Sequence, residues 1–382
     1  MVYLDYSATS PLLSCAKEAM LATMGLSGNA SALHTPGHLA MNVIEKAREE
    51  IAKLINAEPE EILFTSGGSE SNNTVTNIFA GESVAVSAIE HPSLLESARA
   101  RCETTILPVN SEGIVGKITG ENYKLVSVML ANNEIGTINN VKKLADETHK
   151  MGALFHTDAT QALGKIPIDV KALDVDYMTL SSHKIGGPVG IGALYIKKDS
   201  PFKPLIIGGH QEKSRRAGTY QTVNIAGFGA AAKYTREHDL PKLFKAQIGP
   251  LRNQLAKEIL KNVPFSSINT PLNNSLPHLL NCSFEAAEGE SIQLYLDAEG
   301  GIITSTGSAC AAGDGKPSHV IMATKGDAEI AHSSVRFSFG IDSTKKDVEI
   351  VMQYLPGIVK RLQGISTLKA GKIKKEDSYY DK

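Results

Sequence analysis

The chain has 382 residues, 42% of them hydrophobic, with 39 Lys and Arg against 41 Asp and Glu for a formal charge of −2. A chain this long buries a large core and is read as two domains. The near-neutral balance argues against nucleic acid or an anionic membrane as the main partner, and no run approaches the roughly 18 apolar residues that a membrane helix needs. The opening residues, MVYLDYSATSPLLS, lack the basic start and apolar stretch of a signal peptide. Cys15, Cys102, Cys282 and Cys310 form no CxxC pair. That favours a reducing, cytoplasmic setting over a disulfide framework or a structural zinc site.

In chain order, the apolar run 62–65 (ILFT) predicts a strand ending at a Gly-Gly turn, followed by a helix over 71–80. Further strands are expected at 84–88, 125–130, 153–156, 177–180 and 192–196, with a helix over 141–150 between them. Strand–helix alternation of this kind implies an α/β fold with a mainly parallel central sheet flanked by helices. Ligands in such sheets bind beyond the carboxyl ends of the strands. After about residue 234 the texture changes. A long amphipathic helix is expected over 243–262, a Pro/Asn/Ser-rich connection over 264–277, strands at 279–284 and 335–339, and a closing helix over 345–362. This reads as a smaller α+β domain. The expected division is a large domain over 13–245, a small one formed by 1–12 and 246–365, and a tail over 366–382 with little apolar content.

Four polar motifs follow strands or lie in small-residue loops. Ser66-Gly67-Gly68-Ser69-Glu70-Ser71-Asn72 is either a phosphate cradle or an ordinary capped turn, because glycines and a helix start favour an anion. Asp158, in His156-Thr157-Asp158-Ala159-Thr160-Gln161, either meets a ligand at a strand end or caps the next helix. Lys184, before Gly186-Gly187-Pro188, is where a Schiff-base lysine could be held rigidly, or it is a surface lysine beside a turn. Together these are the parts needed to hold pyridoxal 5′-phosphate, whose ring acts as an electron sink when a carboxylate keeps its nitrogen protonated. Cys310 lies in the Gly-rich stretch Ser305–Gly315, where a thiol can be exposed. Cys15 and Cys102 lie in helical patterns and are expected to be packed. His34 and His38 have the spacing of a helical metal pair, but Pro36 and Gly37 between them argue against a helix, and no metal site is expected.

The chain resembles the cysteine desulfurases, pyridoxal-phosphate enzymes of the class V aminotransferase group with the type I fold, over almost its whole length. The resemblance rests on LDYSATSP (from Leu4), SALHTPG around His34, FTSGGSESNN (from Phe64), IEHPS (from Ile89) and ANNEIGT (from Ala131). It continues through HTDATQALGK (from His156), SSHKIGGPVG (from Ser181), SRRAGT (from Ser214), EGES (from Glu288), TGSACAAG (from Thr306) and SSVRFSFG (from Ser333). It implies that Lys184 bonds the cofactor, Asp158 pairs with the pyridine nitrogen, and His91 stacks on the ring and moves protons. Asn133 and Gln161 would bond near the 3′ oxygen, while Gly68, Ser69, Ser181 and His183 would hold the phosphate. Thr219 would reach the phosphate of a partner subunit's site, implying a homodimer, and Arg336 would bind the substrate carboxylate. Cys310 would be the nucleophile that takes sulfur from L-cysteine as a persulfide, releasing L-alanine.

The GSAC motif resembles the long-loop branch that serves iron–sulfur cluster assembly and tRNA thiolation, so a sulfur-acceptor protein is an expected partner. Two positions depart from the family pattern, Tyr220-Gln221 after Ala217-Gly218-Thr219 and His210 after Gly208-Gly209. Both weaken the carry-over to Thr219. Among alternatives, an aminotransferase needs no thiol, so Cys310 counts against it, whereas a selenocysteine lyase could use the same residues. An inactive scaffold would be expected to have lost Lys184, Asp158 or Cys310, and all three are present.

Overall fold

A computed structural model of the chain describes residues 1–306, 316–368 and 370–371. Strand β1 (Val2–Tyr3) is followed by helices α1 (Ser14–Met24) and α2 (Thr35–Ile55). Next, β2 (Ile62–Thr65) runs into α3 (Gly68–Ile78), β3 (Ser83–Ser87) into α4 (Pro92–Arg101), and β4 (Glu103–Leu107) follows. Then come β5 (Leu125–Ser127), α5 (Val141–Lys150), β6 (Leu154–Asp158), α6 (Val170–Leu173), β7 (Tyr177–Ser181) and β8 (Gly192–Ile196). Helices α7 (Thr222–Glu237), α8 (Leu240–Leu243) and α9 (Gly249–Asn262) lead to β9 (Ser266–Ile268) and β10 (Leu279–Phe284). The last elements are α10 (Gly289–Gly300), β11 (Ile302–Ile303), α11 (His319–Lys325), α12 (Ala328–His332), β12 (Ser334–Ser338) and α13 (Lys345–Ile365). Among the described residues, no helix is long and apolar enough to cross a membrane.

Internal contacts divide the chain into two units. The larger holds Thr9–Asn133 and Thr137–Lys245, and the smaller holds Met1–Ala8, Glu134–Gly136 and the residues from Ala246 onward. In the larger unit seven strands form one sheet in the order β2-β8-β7-β6-β5-β3-β4. Its strands pair in parallel from β4 through β7, and β8 alone runs against its neighbours β7 and β2. Strands β5, β7 and β8 are buried along their whole length, which is why they read as short continuous apolar runs rather than alternating ones. Helices α3 and α4 cover a cluster that includes Leu63, Val75, Phe79, Val86, Leu95 and Tyr177.

The two edges are managed differently. At β4, Glu103, Thr105 and Ile106 face solvent, and the charged and hydroxylated edge discourages pairing with another chain. At β2 all four residues are buried, and side chains take the place of a further strand. Arg48 Nη1 donates to Ile62 O at 2.8 Å, while Phe64 N–H donates to Glu212 Oε2 at 3.1 Å. Arg48 and Glu212 are themselves joined by two hydrogen bonds, of 2.7 and 2.9 Å. The smaller unit is α+β, with a three-stranded antiparallel sheet β12-β10-β9, a parallel β1-β11 pair, and α13 packed against α9 and α10.

Several local expectations change. The long helix over 243–262 is interrupted: Phe244–Ile248 is a π-turn, and α9 restarts with Pro250 in its first turn. Proline inside a continuous helix would delete a hydrogen bond and clash with the preceding turn, and the π-turn relieves both. The segment from His34 to His38 does enter a helix. Pro36 lies in the first turn of α2, where proline is tolerated, and His34 caps the helix by accepting from Gly37 N–H at 3.2 Å. Among the described residues no group of three His, Cys, Asp or Glu side chains is placed to hold a metal ion. Strand β5 stops at Ser127 rather than 130, and α3 begins at Gly68, three residues before the expected start.

Candidate active site

In the larger unit the carboxyl ends of β6 and β7 meet the start of α3. Strand β6 ends at Asp158, which is 5% exposed. Its Oδ1 accepts from Thr160 N–H and its Oδ2 from Asn72 Nδ2 on α3, both at 2.9 Å. His156, on the same strand, is buried between Ser127 Oγ at 2.7 Å and Thr179 Oγ1 at 3.0 Å. Burial holds its imidazole well below the usual histidine pKa, against the pull of Asp158.

Helix α3 has Gly67 as its cap, at φ +153°, with no side chain capping its first N–H groups. Only glycine takes that backbone conformation without strain. A Cβ placed on Gly68 would come within 3.2 Å of Thr160 Oγ1 and 4.0 Å of Ser181 Cβ. Thr160 Oγ1 is buried and has no hydrogen-bond partner among the described residues. An uncapped helix start beside a buried, unsatisfied hydroxyl is a built place for an anionic group. Gly68 and Ser181, expected at a phosphate, are brought together here, and Ser69 is exposed on the same helical turn.

Strand β7 ends at Ser181, and the chain enters one tight turn, Ser182–Ile185, closed by Gly186 at φ +77°. His183 and Lys184 lie in this turn, half-buried. The Lys184 carbonyl accepts from Ser10 Oγ at 2.9 Å and from Lys165 Nζ at 3.2 Å, so its backbone is held from two sides. Lys165 is buried with its ammonium position 4.3 Å from the Phe244 ring centroid. Burial, with the charge of Lys184, lowers its pKa to about 7. Burial and Lys184 likewise lower His183 to about 4, and its Nδ1 contacts Thr9 Oγ1 at 3.2 Å.

His91 caps α4: its Nδ1 accepts from Ser93 N–H at 3.1 Å and lies 2.8 Å from Ser93 Oγ. The adjacent Glu90 is fully buried, accepting from Met129 N–H at 2.6 Å and from Ser87 Oγ. Burial, with Asp158 adding to it, raises its pKa from 4.5 to about 8. Between those two values the folded chain keeps a proton that the unfolded chain releases, so this group lowers stability as pH rises through the window and costs its full amount above it. Replacing Glu90 by glutamine keeps an acceptor and removes the titration. Glu90→Gln is therefore expected to match the wild type near pH 4.5 and to exceed it by about 3–5 kcal/mol above pH 8, as read by denaturant unfolding across pH.

Gln161 is buried in the turn after β6, and Asn133 is half-buried. Thr219 is exposed, and no hydrogen bond among the described residues joins it to Gly68, Thr160 or Ser181. The departures near it have structural partners: Tyr220 Oη accepts from Glu212 N–H at 2.7 Å, and His210 Nδ1 meets Ser214 Oγ at 3.1 Å. Arg216 clasps Glu70 of α3 through two hydrogen bonds, of 3.0 and 3.2 Å.

In the smaller unit Arg336 sits on β12 opposite Asn281 of β10, 3% exposed, with Nη2 donating to Asp5 at 3.0 Å. Glu134 is buried against Ser318, and burial raises its pKa to about 7, opposed by Ser318 and Arg336. Cys310 and its surrounding loop lie outside the described residues, as does most of the tail. Cys282 is buried in β10, and Cys15 and Cys102 are half-buried. Asn72, Ser93, Thr160, Glu90 and Lys165 were not singled out from the sequence. All lie within or beside the quoted motifs, but only folding reveals their partners.

A family model described as Aminotransferase class-V matches residues 2–351. The chain is 40% identical over 387 residues to a cysteine desulfurase IscS of Dictyoglomus turgidum, covering 96% of this chain and 97% of that one. It resembles the X-ray structure of a NifS-like protein from Rickettsia africae with a TM-score of 0.85 and 32% identity, over 94% of this chain and 99% of that one. It also resembles a structure described as SspA in complex with cysteine, with a TM-score of 0.77 and 31% identity over 89% and 99% of the two chains.

Proposed function

Because the chain belongs to the class-V aminotransferase family, and within it to the cysteine desulfurases, we propose that it removes sulfur from L-cysteine, releasing L-alanine and leaving a persulfide on Cys310. The observation that carries this reading is the convergence of an uncapped α3 start, Thr160 Oγ1, Asp158 and the Lys184 turn at the ends of two adjacent parallel strands.

That donor set fits pyridoxal 5′-phosphate. Gly68, Ser69, Ser181 and His183, with Thr160, would hold the phosphate, Asp158 would pair with the pyridine nitrogen, and Lys184 would be the covalent anchor. His91 would stack on the ring, and Asn133 and Gln161 would bond near the 3′ oxygen. The bound cofactor supplies an electron sink that makes the substrate Cα–H acidic. Arg336 binds the substrate carboxylate, its guanidinium steadied by Asp5. The Cys310 thiolate attacks the substrate sulfur. A sulfur–sulfur bond forms, the substrate carbon–sulfur bond breaks, and its electron pair ends on carbon, which a proton converts to alanine. Thr219, exposed and unattached to its own chain's cradle, serves the partner subunit's phosphate in a homodimer. The persulfide passes to an acceptor protein for iron–sulfur cluster assembly or tRNA thiolation in the cytoplasm.

The test is incubation of the cofactor-loaded protein with L-cysteine and a reductant, measuring sulfide and alanine together. Equal amounts of both are expected. Transfer of the amino group to an added α-keto acid without sulfide would replace this reading with an aminotransferase.

A further inference from the structure

We propose that Asn72 and Ser93 are positioning residues that lock His91 in a single tautomer, with the ring proton on Nε2, and tie that lock to Asp158. Asn72 is 1% exposed on α3, and its amide nitrogen donates at 2.9 Å to Asp158 Oδ2 and at 2.9 Å to Ser93 Oγ. Both amide hydrogens are thereby used. Turning the amide over would set its oxygen against the Asp158 carboxylate, acceptor facing acceptor, so the carboxylate fixes which way Asn72 points. The orientation persists although Asn72 Oδ1 is buried without a hydrogen-bond partner among the described residues.

Ser93 Oγ, already accepting from Asn72, lies 2.8 Å from His91 Nδ1. A hydroxyl oxygen can accept twice, so the hydroxyl alone does not assign the proton. The backbone adds a bias in one direction: Ser93 N–H also points at Nδ1, from 3.1 Å. A hydrogen on Nδ1 would meet that N–H head-on. The arrangement that satisfies every group has Ser93 donating its O–H and its N–H to a bare Nδ1, which leaves the ring's single proton on Nε2. The chain Asp158–Asn72–Ser93–His91 thus runs with all its donors oriented by one carboxylate.

On the reading of His91 as the ring-stacking residue, on which the functional consequence rests, the imidazole enters the reaction as a donor at Nε2. What the ring offers there is a hydrogen bond from Nε2, not a basic lone pair. Specificity of this kind comes from residues that touch neither substrate nor cofactor.

The apo protein tests the lock without turnover. Full-length chain labelled with ring-¹⁵N histidine is examined by NMR, the His91 signals being assigned by their loss in His91→Gln. A protonated Nε2 and an unprotonated Nδ1 are expected. Ser93→Thr should keep that pattern, while Ser93→Ala, which keeps only the backbone N–H at Nδ1, and Asn72→Leu, each with folding verified by circular dichroism, should show an Nδ1-protonated fraction that the wild type lacks. A proton on Nδ1 in the wild type would overturn the proposal, and so would an unchanged single tautomer in folded Ser93→Ala. A locked ring in a chain that makes no alanine from L-cysteine would leave the lock standing and sink the functional reading. A proton on Nδ1 in an active enzyme would do the reverse.

Discussion

Lys184→Ala is expected to lose alanine formation from L-cysteine by about 10³-fold or more, together with the visible absorbance of the bound cofactor. The size follows from what the residue is asked to do. On the proposed function its amine anchors the cofactor covalently, a role that the neighbouring Lys165 does not take over. Lys165 reaches the same turn, but its Nζ is buried, donating to the Lys184 carbonyl beside Phe244. The fold should survive, because the backbone carbonyl of residue 184 stays held by Ser10 and Lys165 in the variant. Measuring product, absorbance and thermal unfolding on one sample separates these roles. A variant that keeps both absorbance and alanine formation would remove Lys184 from the mechanism.

Glu212→Ala should carry the largest stability loss, about 3–5 kcal/mol, because it takes from the buried Arg48 guanidinium its one buried carboxylate partner among the described residues and leaves it the half-exposed Glu45. A further cost points the same way. Phe64 N–H loses its acceptor at the buried edge of β2. Glu212 also anchors an unusual backbone. Residues Glu212, Lys213 and Ser214 all have left-handed φ, at +49°, +56° and +65°, a conformation that non-glycine residues hold only when neighbours over-determine it. Without the carboxylate this segment should relax and expose the β2 edge. Glu212→Gln retains an acceptor for Phe64 and should cost less. A paired Arg48→Met, Glu212→Leu chain, which removes both charges, should recover much of the loss. Urea midpoints across the three variants check the ordering, and equal losses in the single and paired variants would contradict it.

The sheet was legible because its central strands are short apolar runs bounded by glycine and polar turns, as in 177–180 and 192–196. Helix α7 was not. Its middle carries two glycines, Gly227 and Gly229, which argue against a helix, yet both are there for packing. A Cβ on Gly229 would come within 2.5 Å of Ala47 Cβ on α2, and one on Gly227 within 2.8 Å of Met20 Cγ on α1. Tertiary contact overrides propensity at both positions. Helix α2 was hidden for a related reason, since Pro36 and Gly37 read as breakers but sit in the first turn. The same logic separates the parts of the site. Asp158 and Lys184 stand directly after strands, where a sequence can be searched. Thr160, Asn72 and Ser93 acquire meaning only from partners 20 or more residues away in sequence or from an absent partner.

The central claim is that sulfur leaves L-cysteine on Cys310, and one measurement reaches it directly. Cofactor-loaded wild type and Cys310→Ala are each incubated with L-cysteine, and the intact protein is weighed by mass spectrometry before and after reductant while sulfide and alanine are followed. One reducible sulfur atom is expected at Cys310 in the wild type, with sulfide released by reductant in equal amount to alanine, and neither the adduct nor the sulfide in Cys310→Ala. A Cys310→Ala protein that releases sulfide at the wild-type rate would contradict it.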